Sequence, residues 1–147
     1  MQNQPVLQLF AVCSAVVVLT LYMLGVITAR TRNQRKAVIN PEDVKVNSGA
    51  KVVDEEHADV LRIKRAHLNG LENAVPFFVI GFLYTMTDPS LVLARVLFIT
   101  FAVVRVLHAV FYLNAKQPFR TAAFGVAALV NVIMLVQVVR AAIPGLA

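Results

Sequence analysis

A chain of 147 residues that is 59% hydrophobic and only 15% charged is short enough for one domain but too apolar for an ordinary soluble one. The net charge of +6 does not point to nucleic acid, because the basic residues alternate with Glu42, Asp43, Asp54, Glu55, Glu56 and Asp59 and lack stacking aromatics. The single cysteine, Cys13, excludes an intrachain disulfide.

Uncharged runs at 6–29, 73–87, 106–115 and 121–139, with 89–113 broken only by Arg95 and Arg105, predict an all-α, integral membrane four-helix transmembrane bundle. One domain covering 1–147 is expected, with spans near 6–30, 59–87, 91–113 and 119–142. The first run is read as a retained helix rather than a secretory signal, because "MQNQPVLQLF" lacks a basic leader and the apolar stretch is long. Cys13 lies inside it, and a small, buried, structural role is expected for its thiol.

Residues 31–57 form the one long polar segment, in which "NPED" at 40–43 starts a turn or short helix. Helical periodicity resumes near Asp59 and continues to about Thr87, a length of about 43 Å that exceeds a hydrocarbon core of about 30 Å. The first turns of this second helix therefore belong in headgroups and cytosol. Pro76 removes one of its backbone hydrogen bonds, a fault neighbouring helices can cover. "TDPS" at 87–90 is a tight turn, Pro118 restarts the chain near the first turn of the fourth helix, and "IPG" at 143–145 ends it.

Lys and Arg concentrate between the first and second spans and again at Lys116 and Arg120, whereas the N-terminal tail and the 87–90 turn carry none. Basic loops stay on the cytoplasmic side, so both termini of this multi-pass protein are expected to face away from the cytoplasm. The membrane itself is left open between a bacterial inner membrane and the endoplasmic reticulum.

Arg65, Asn69 and Glu72 share one stripe of the second helix with Arg62, and Arg105, His108 and Tyr112 repeat that spacing on the third. Arg105 is about 21 Å in from the 87–90 turn, so all these groups fall in one half of the bilayer, with Arg120 capping the level. A charge at the bilayer centre costs at least about 2.5–3.5 kcal/mol, so the side chains must pair or line a wet cavity. An ion pair between Glu72 and Arg105 that fixes register is one use. Even so, Arg65 and Arg120 have no obvious acidic partner among the spans, and a recess wanting an anionic ligand is expected. Tyr112 either donates to such a ligand or joins the interfacial aromatic belt with Phe111. His57, His67 and His108 have no metal-binding spacing, so no metal is expected.

"RIKRAHLNGLENAVPFFVIGFLYTM", with "INPED", "RVLHAVFYL" and "QPFR", resembles the membrane-associated proteins in eicosanoid and glutathione metabolism, most closely their microsomal glutathione transferase branch. The resemblance implies a homotrimer of four-helix protomers, with glutathione as co-substrate bound between neighbouring protomers near the cytoplasmic face. Carried over residue by residue, it implies glutathione contacts at Arg32, Arg65, Asn69, Glu72, His108 and Tyr112, catalysis by Arg120 with Thr121 beside it, and a structural pairing of Arg105 with Glu72. Thr121 serves equally well as a cap of the fourth helix. The implied reaction is conjugation of glutathione to lipophilic electrophiles entering from the membrane lipid, with glutathione-dependent reduction of lipid hydroperoxides as a companion activity. Ala122, Ala123 and Gly125 would give that second substrate room.

The family's prostaglandin E synthases have an arginine where this chain has Leu68 and a tyrosine where it has Phe124; both differences favour the transferase branch over an isomerase. Gly70 and Leu61 depart from the acidic residues usual there. A non-catalytic membrane protein, either transporter or lipid-binding scaffold, is the alternative in another class. Charges crowded at one depth without a sequence repeat speak against the transporter.

Overall fold

The computed structural model describes residues 4–143. Four long helices dominate: α1 (Gln4–Arg35), α2 (Ala58–Thr85), α3 (Leu91–Leu113) and α4 (Gln117–Ala142). Pro144 and Gly145, expected to end the fourth helix, lie outside the described residues.

Helix α1 runs five residues past the expected end at Arg30, because Arg32 and Arg35 in its last turn complement the negative end of the helix dipole. It stops at Lys36, whose φ of 51° is left-handed. That conformation is held from outside, since the Lys36 ammonium donates to the Ser48 carbonyl at 2.8 Å and to Asn47 Oδ1 at 3.2 Å. The polar segment is not merely a loop. Pro41–Lys45 winds into a 3₁₀ turn, and two short strands, β1 (Ala37–Val38) and β2 (Lys51–Val52), pair in parallel through Lys51 N–H to the Lys36 carbonyl and Val53 N–H to the Val38 carbonyl. Two-residue strands leave no alternating pattern long enough to read in a sequence.

His57 caps α2 by accepting the Asp59 N–H at 3.3 Å, and Asp59 adds a negative charge to the first turn. The helix continues through Pro76 and ends two residues before the expected Thr87. There the Thr85 and Thr87 hydroxyls bond back to the Phe82 and Tyr84 carbonyls, and Asp88 turns the chain at a φ of 53°. Ser90 then caps α3 through the Leu93 N–H. Only 114–116 separate α3 from α4, so these two helices are forced antiparallel and adjacent.

Helices α2 and α3 each pack against every other helix, whereas α1 and α4 lie on opposite sides of that pair without touching among the described residues. The core is aromatic. Phe77 stacks on Phe101 at 4.0 Å between ring centres with the planes 2° apart, meets Phe98 edge-on at 6.0 Å, and lies 5.6 Å from Phe10. Gly81 makes this possible, because a Cβ there would stand 2.7 Å from a Phe10 ring carbon. Gly70 does the same for α1, where a Cβ would meet the Leu21 side chain at 2.8 Å. Cys13 is buried in this core as a free thiol.

Many large apolar side chains remain on the outside, among them Val12, Leu19 and Tyr22 of α1, Val92 and Val96 of α3, and Leu129 and Val132 of α4. In water so much apolar surface would aggregate; against acyl chains it is the expected exterior. Helices α1, α3 and α4 are long and apolar enough to cross a bilayer. The first half of α2 carries Arg62, Lys64, Arg65, His67, Asn69 and Glu72, which removes it from that class by composition although its 28 residues suffice by length. The chain is an integral membrane protein.

Candidate functional site

A recess of about 250 Å³ opens at the loop end of the bundle, lined by Asn69 of α2, His108 and Tyr112 of α3, and Arg120, Thr121 and Phe124 of α4. Each lining residue comes from helical geometry. His108 and Tyr112 are one turn apart on α3, and their rings meet edge-on at 5.6 Å. Arg120 sits in the first turn of α4, and its guanidinium carbon lies 4.4 Å from the centre of the Tyr112 ring. The aromatic face holds the cation without neutralising it. Among the described residues neither Arg120 nor Arg65 has an ion-pair partner.

Behind the recess a polar ladder links three helices. Arg105, 4% exposed, donates to the Asn69 carbonyl at 3.2 Å and to Asn69 Oδ1 at 3.4 Å. Asn73 Nδ2 donates to the same carbonyl at 3.0 Å, and Asn131 of α4 reaches the Asn73 carbonyl at 3.5 Å. The ladder fixes where Asn69 stands in the recess wall. The expected Arg105–Glu72 ion pair is absent within the protomer. Glu72 lies three residues beyond Asn69, a step that turns it about 60° around the helix axis. That rotation carries it to the exposed surface, and Arg105 takes the asparagine instead.

His108 is 2% exposed, and its Nδ1 has no hydrogen-bond partner among the described residues. Thr121 is not the cap of α4, since Lys116 occupies that position; its hydroxyl accepts from Gln117 Nε2 at 3.4 Å and faces the recess. Ala123, expected on the lipid side, is buried in the bundle, while Ala122 and Gly125 are exposed.

Three of the expected anion contacts lie elsewhere on the protomer. Arg65 and Glu72 are exposed on the outer stripe of α2. Arg32, at the end of α1, is bound to Glu56, its Nε donating to Oε1 at 2.7 Å. Lys64 takes the other carboxylate oxygen at 2.7 Å. A parallel contact joins Arg35 to Asp59, and both line a separate recess of about 450 Å³ with Arg62. No group of three His, Cys, Asp or Glu side chains among the described residues is placed to hold a metal ion.

Glu56 and the recess residue Phe124 are absent from the site read from sequence. Glu56 is separated from Arg32 by 24 positions across an irregular segment, so no helical spacing connects them. Its side chain is 6% exposed. Burial alone would raise its pKa, but the hydrogen bonds from Lys64 and Arg32, with their charges, outweigh burial and hold the carboxyl below its ordinary value. A lowered folded pKa means a stabilising contribution that is complete above about pH 4.3 and lost as pH falls through the lower folded value. Thermal unfolding of wild type between about pH 3.5 and 7 should show that acid loss. Glu56→Gln should lack this component and unfold about 2–4 °C lower at neutral pH, where Arg32 and Lys64 lose their shared counter-charge.

A family model described as "MAPEG family" matches residues 10–140. The chain is 36% identical over 140 residues to bovine (Bos taurus) prostaglandin E synthase, covering 95% of this chain and 91% of that protein. Against the human enzyme of the same name it is 34% identical over 137 residues, covering 92% and 90%. Pig (Sus scrofa) microsomal glutathione S-transferase 1 is 38% identical over 128 residues, covering 84% and 82%.

Proposed function

The chain belongs to the MAPEG family, and from that premise we propose that it is a membrane-bound glutathione transferase. In this reading it activates the glutathione thiol for conjugation to lipophilic electrophiles. The observation that carries the reading is an arginine without a counter-ion among the described residues, presented on an aromatic face at the start of a helix, in a recess at the loop end of the bundle.

A free cysteine-type thiol has a pKa near 8.5, so only a few per cent is thiolate at neutral pH. Each unit by which it is lowered requires about 1.4 kcal/mol of preferential interaction with the anion. Arg120 supplies such an interaction and cannot itself give up a proton. The N-terminus of α4 adds a partial positive charge in the same direction. The thiol proton leaves to solvent, the sulfur lone pair forms the new bond to the electrophilic carbon, and the leaving group departs with its bonding electrons. Arg120 stays protonated throughout. Asn69, His108 and Tyr112 position the tripeptide, and Thr121 offers a hydroxyl near the sulfur.

Arg32, Arg65 and Glu72 fit the same reading if a second copy brings them to the recess, so the working unit is proposed to be the homotrimer. The exposure of Arg65 and Glu72 on α2 supports it, while Arg32 is half-buried against Glu56. The basic 31–57 segment and Lys116 favour a cytoplasmic location for the recess, with both termini on the opposite side. Reduction of lipid hydroperoxides by the same thiolate is a companion activity.

Isomerisation of a prostaglandin endoperoxide is the second reading, favoured by the long alignments to prostaglandin E synthases. Phe124 speaks for the transferase, because it lines the recess with a ring that has no hydroxyl to offer. Titration calorimetry on the purified protein should give saturable heat with glutathione, and a chromogenic aryl halide should be consumed in its presence. Lack of saturable heat would return the protein to a scaffold role. Heat without conjugation, together with turnover of an endoperoxide, would select the isomerase.

A further inference from the structure

Two recesses share the seam between α1 and α3, one polar at the loop end of the bundle and one apolar within the span. The polar recess, of about 450 Å³, brings Arg35 at the end of α1 together with Asp59 and Arg62 in the first turns of α2, beside the apolar side chains of Ile27, Ile63 and Leu113. The apolar groove, of about 320 Å³, is lined by Cys13 and Val16 of α1 and by Ile99, Val103 and Val106 of α3. We propose that the two together bind one membrane phospholipid, its phosphodiester held by Arg62 in the recess and an acyl chain lying in the groove.

The charges at the recess favour an anion. Arg62 is exposed and has neither an ion pair nor a hydrogen bond to any described residue. Asp59, three residues earlier, is bound by Arg35 and stands 3.4 Å from His57 Nδ1. Glu56 is taken by Arg32 and Lys64. Two guanidinium groups against one carboxylate leave the lining one positive charge in surplus. The residues at either terminus that lie outside the described range join α1 and α4 at the other end of the bundle. Helix α4 alone, with 26 residues, separates the ends by about 39 Å, so the termini bring no counter-charge here.

Water by itself could solvate Arg62, and the adjoining groove is what selects a lipid. On α1, Cys13, Val16, Ile27 and Arg35 bound the seam, and Cys13, Val16 and Ile27 fall within about 60° around the helix axis. On α3, Ile99, Val103, Val106 and Leu113 fall within about 80°, so each helix turns one stripe to both recesses. Val110, between Val106 and Leu113 on that stripe, is exposed and apolar. Thr20, between Val16 and Ile27, donates its hydroxyl proton to the Val16 carbonyl at 2.8 Å, which leaves no free donor on the path. From Ile27 to Val16 is about 16 Å along α1, close to the depth of one leaflet of a hydrocarbon core about 30 Å thick. The uncharged run of α1 ends at Ala29, so Arg35 and Arg62 stand at headgroup level and the groove stands among acyl chains. A free anion would use the recess and have no need of the groove.

The test uses full-length protein purified in a neutral detergent. Phosphatidylglycerol carrying a photoactivatable diazirine on one acyl chain is the probe, with diacylglycerol and inorganic phosphate as comparison arms. Native mass spectrometry should show retained phosphatidylglycerol, and peptide mapping after irradiation should place the adducts chiefly on the α1 and α3 segments around Val16 and Val103. Arg62→Ala should weaken retention about tenfold, as expected for loss of a charge-assisted hydrogen bond. Val103→Trp, which fills the groove from a half-exposed position, should weaken it about fivefold while leaving Arg62 in place. Both sites are exposed, so without lipid both variants should unfold within about 2 °C of wild type. Adducts spread evenly over the outer faces of all four helices would overturn the proposal, as would equal retention by wild type and Arg62→Ala. Diacylglycerol retained as well as phosphatidylglycerol would remove the phosphodiester from the recognition. An equal thermal shift from inorganic phosphate at matched concentration would reduce the site to one for a free anion. Absence of both retained lipid and adducts would also overturn it, and would leave the seam to a second copy of the chain.

Discussion

Replacing Arg120 by alanine should lower kcat for glutathione conjugation about 10²–10³-fold, the range seen when one fixed donor to a developing or resident anion is removed. The expectation follows from isolation. The Arg120 guanidinium rests 4.4 Å above the Tyr112 ring and has no carboxylate partner among the described residues, so its field is available to a thiolate in the recess. Arg120→Lys should recover part of the rate, because the charge remains while the planar fork and its stacking on Tyr112 are lost. Glutathione affinity should fall much less than kcat in Arg120→Ala, since Asn69, His108 and Tyr112 still line the recess. The rate should also regain ground at alkaline pH, where solution chemistry ionises the thiol without help. Steady-state rates with an aryl halide across pH, with a thermal unfolding control for each variant, measure all of this. An Arg120→Ala enzyme turning over within about threefold of wild type at neutral pH, well short of the expected loss, would remove Arg120 from the chemistry.

Helical periodicity made the shared faces legible before any coordinates. Arg105, His108 and Tyr112 are spaced so that α3 must carry them together, and the cost of lipid-exposed charge says that this face turns inward. Periodicity could not decide which neighbour each group would choose. Asn69 and Glu72 share a stripe of α2, yet a rotation of about 60° separates a half-buried carbonyl and amide that Arg105 can reach from a carboxylate it does not. Glu56 was illegible for a different reason. Its bond to Arg32 depends on how 36–57 folds back, and that path is set by a two-residue strand pair and the left-handed Lys36 rather than by any repeat. Phe124 could be read as a branch-dependent position, but only the crossing of α3 and α4 puts its ring in the recess wall.

Phe77→Ala should destabilise the protein by about 3–5 kcal/mol, the usual cost of removing a fully buried ring. In a membrane protein the origin of that cost differs from the soluble case. An unfolded or separated helix still sits among acyl chains, so the transfer of the ring out of water contributes little and the loss is mainly one of packing. Phe77 has much packing to lose: it is fully buried, stacks on Phe101 and meets Phe98 and Phe10, thereby touching α1 and α3 from α2. Collapse into the gap is obstructed, because Phe10 already lies against Gly81 one turn along and cannot slide without striking the α2 backbone. Phe82→Ala offers the contrast, since that residue is 46% exposed and its loss should stay within about 1 kcal/mol. Thermal unfolding of both variants in the same detergent tests the difference. The recess proposed to bind glutathione starts at Asn69, eight residues or about 12 Å up α2 from Phe77, and is held by the separate Arg105–Asn69 contact. Below its unfolding temperature, Phe77→Ala should therefore bind glutathione with near wild-type affinity. A large loss of affinity in a still-folded Phe77→Ala protein would mean that the aromatic core and the recess form one cooperative unit.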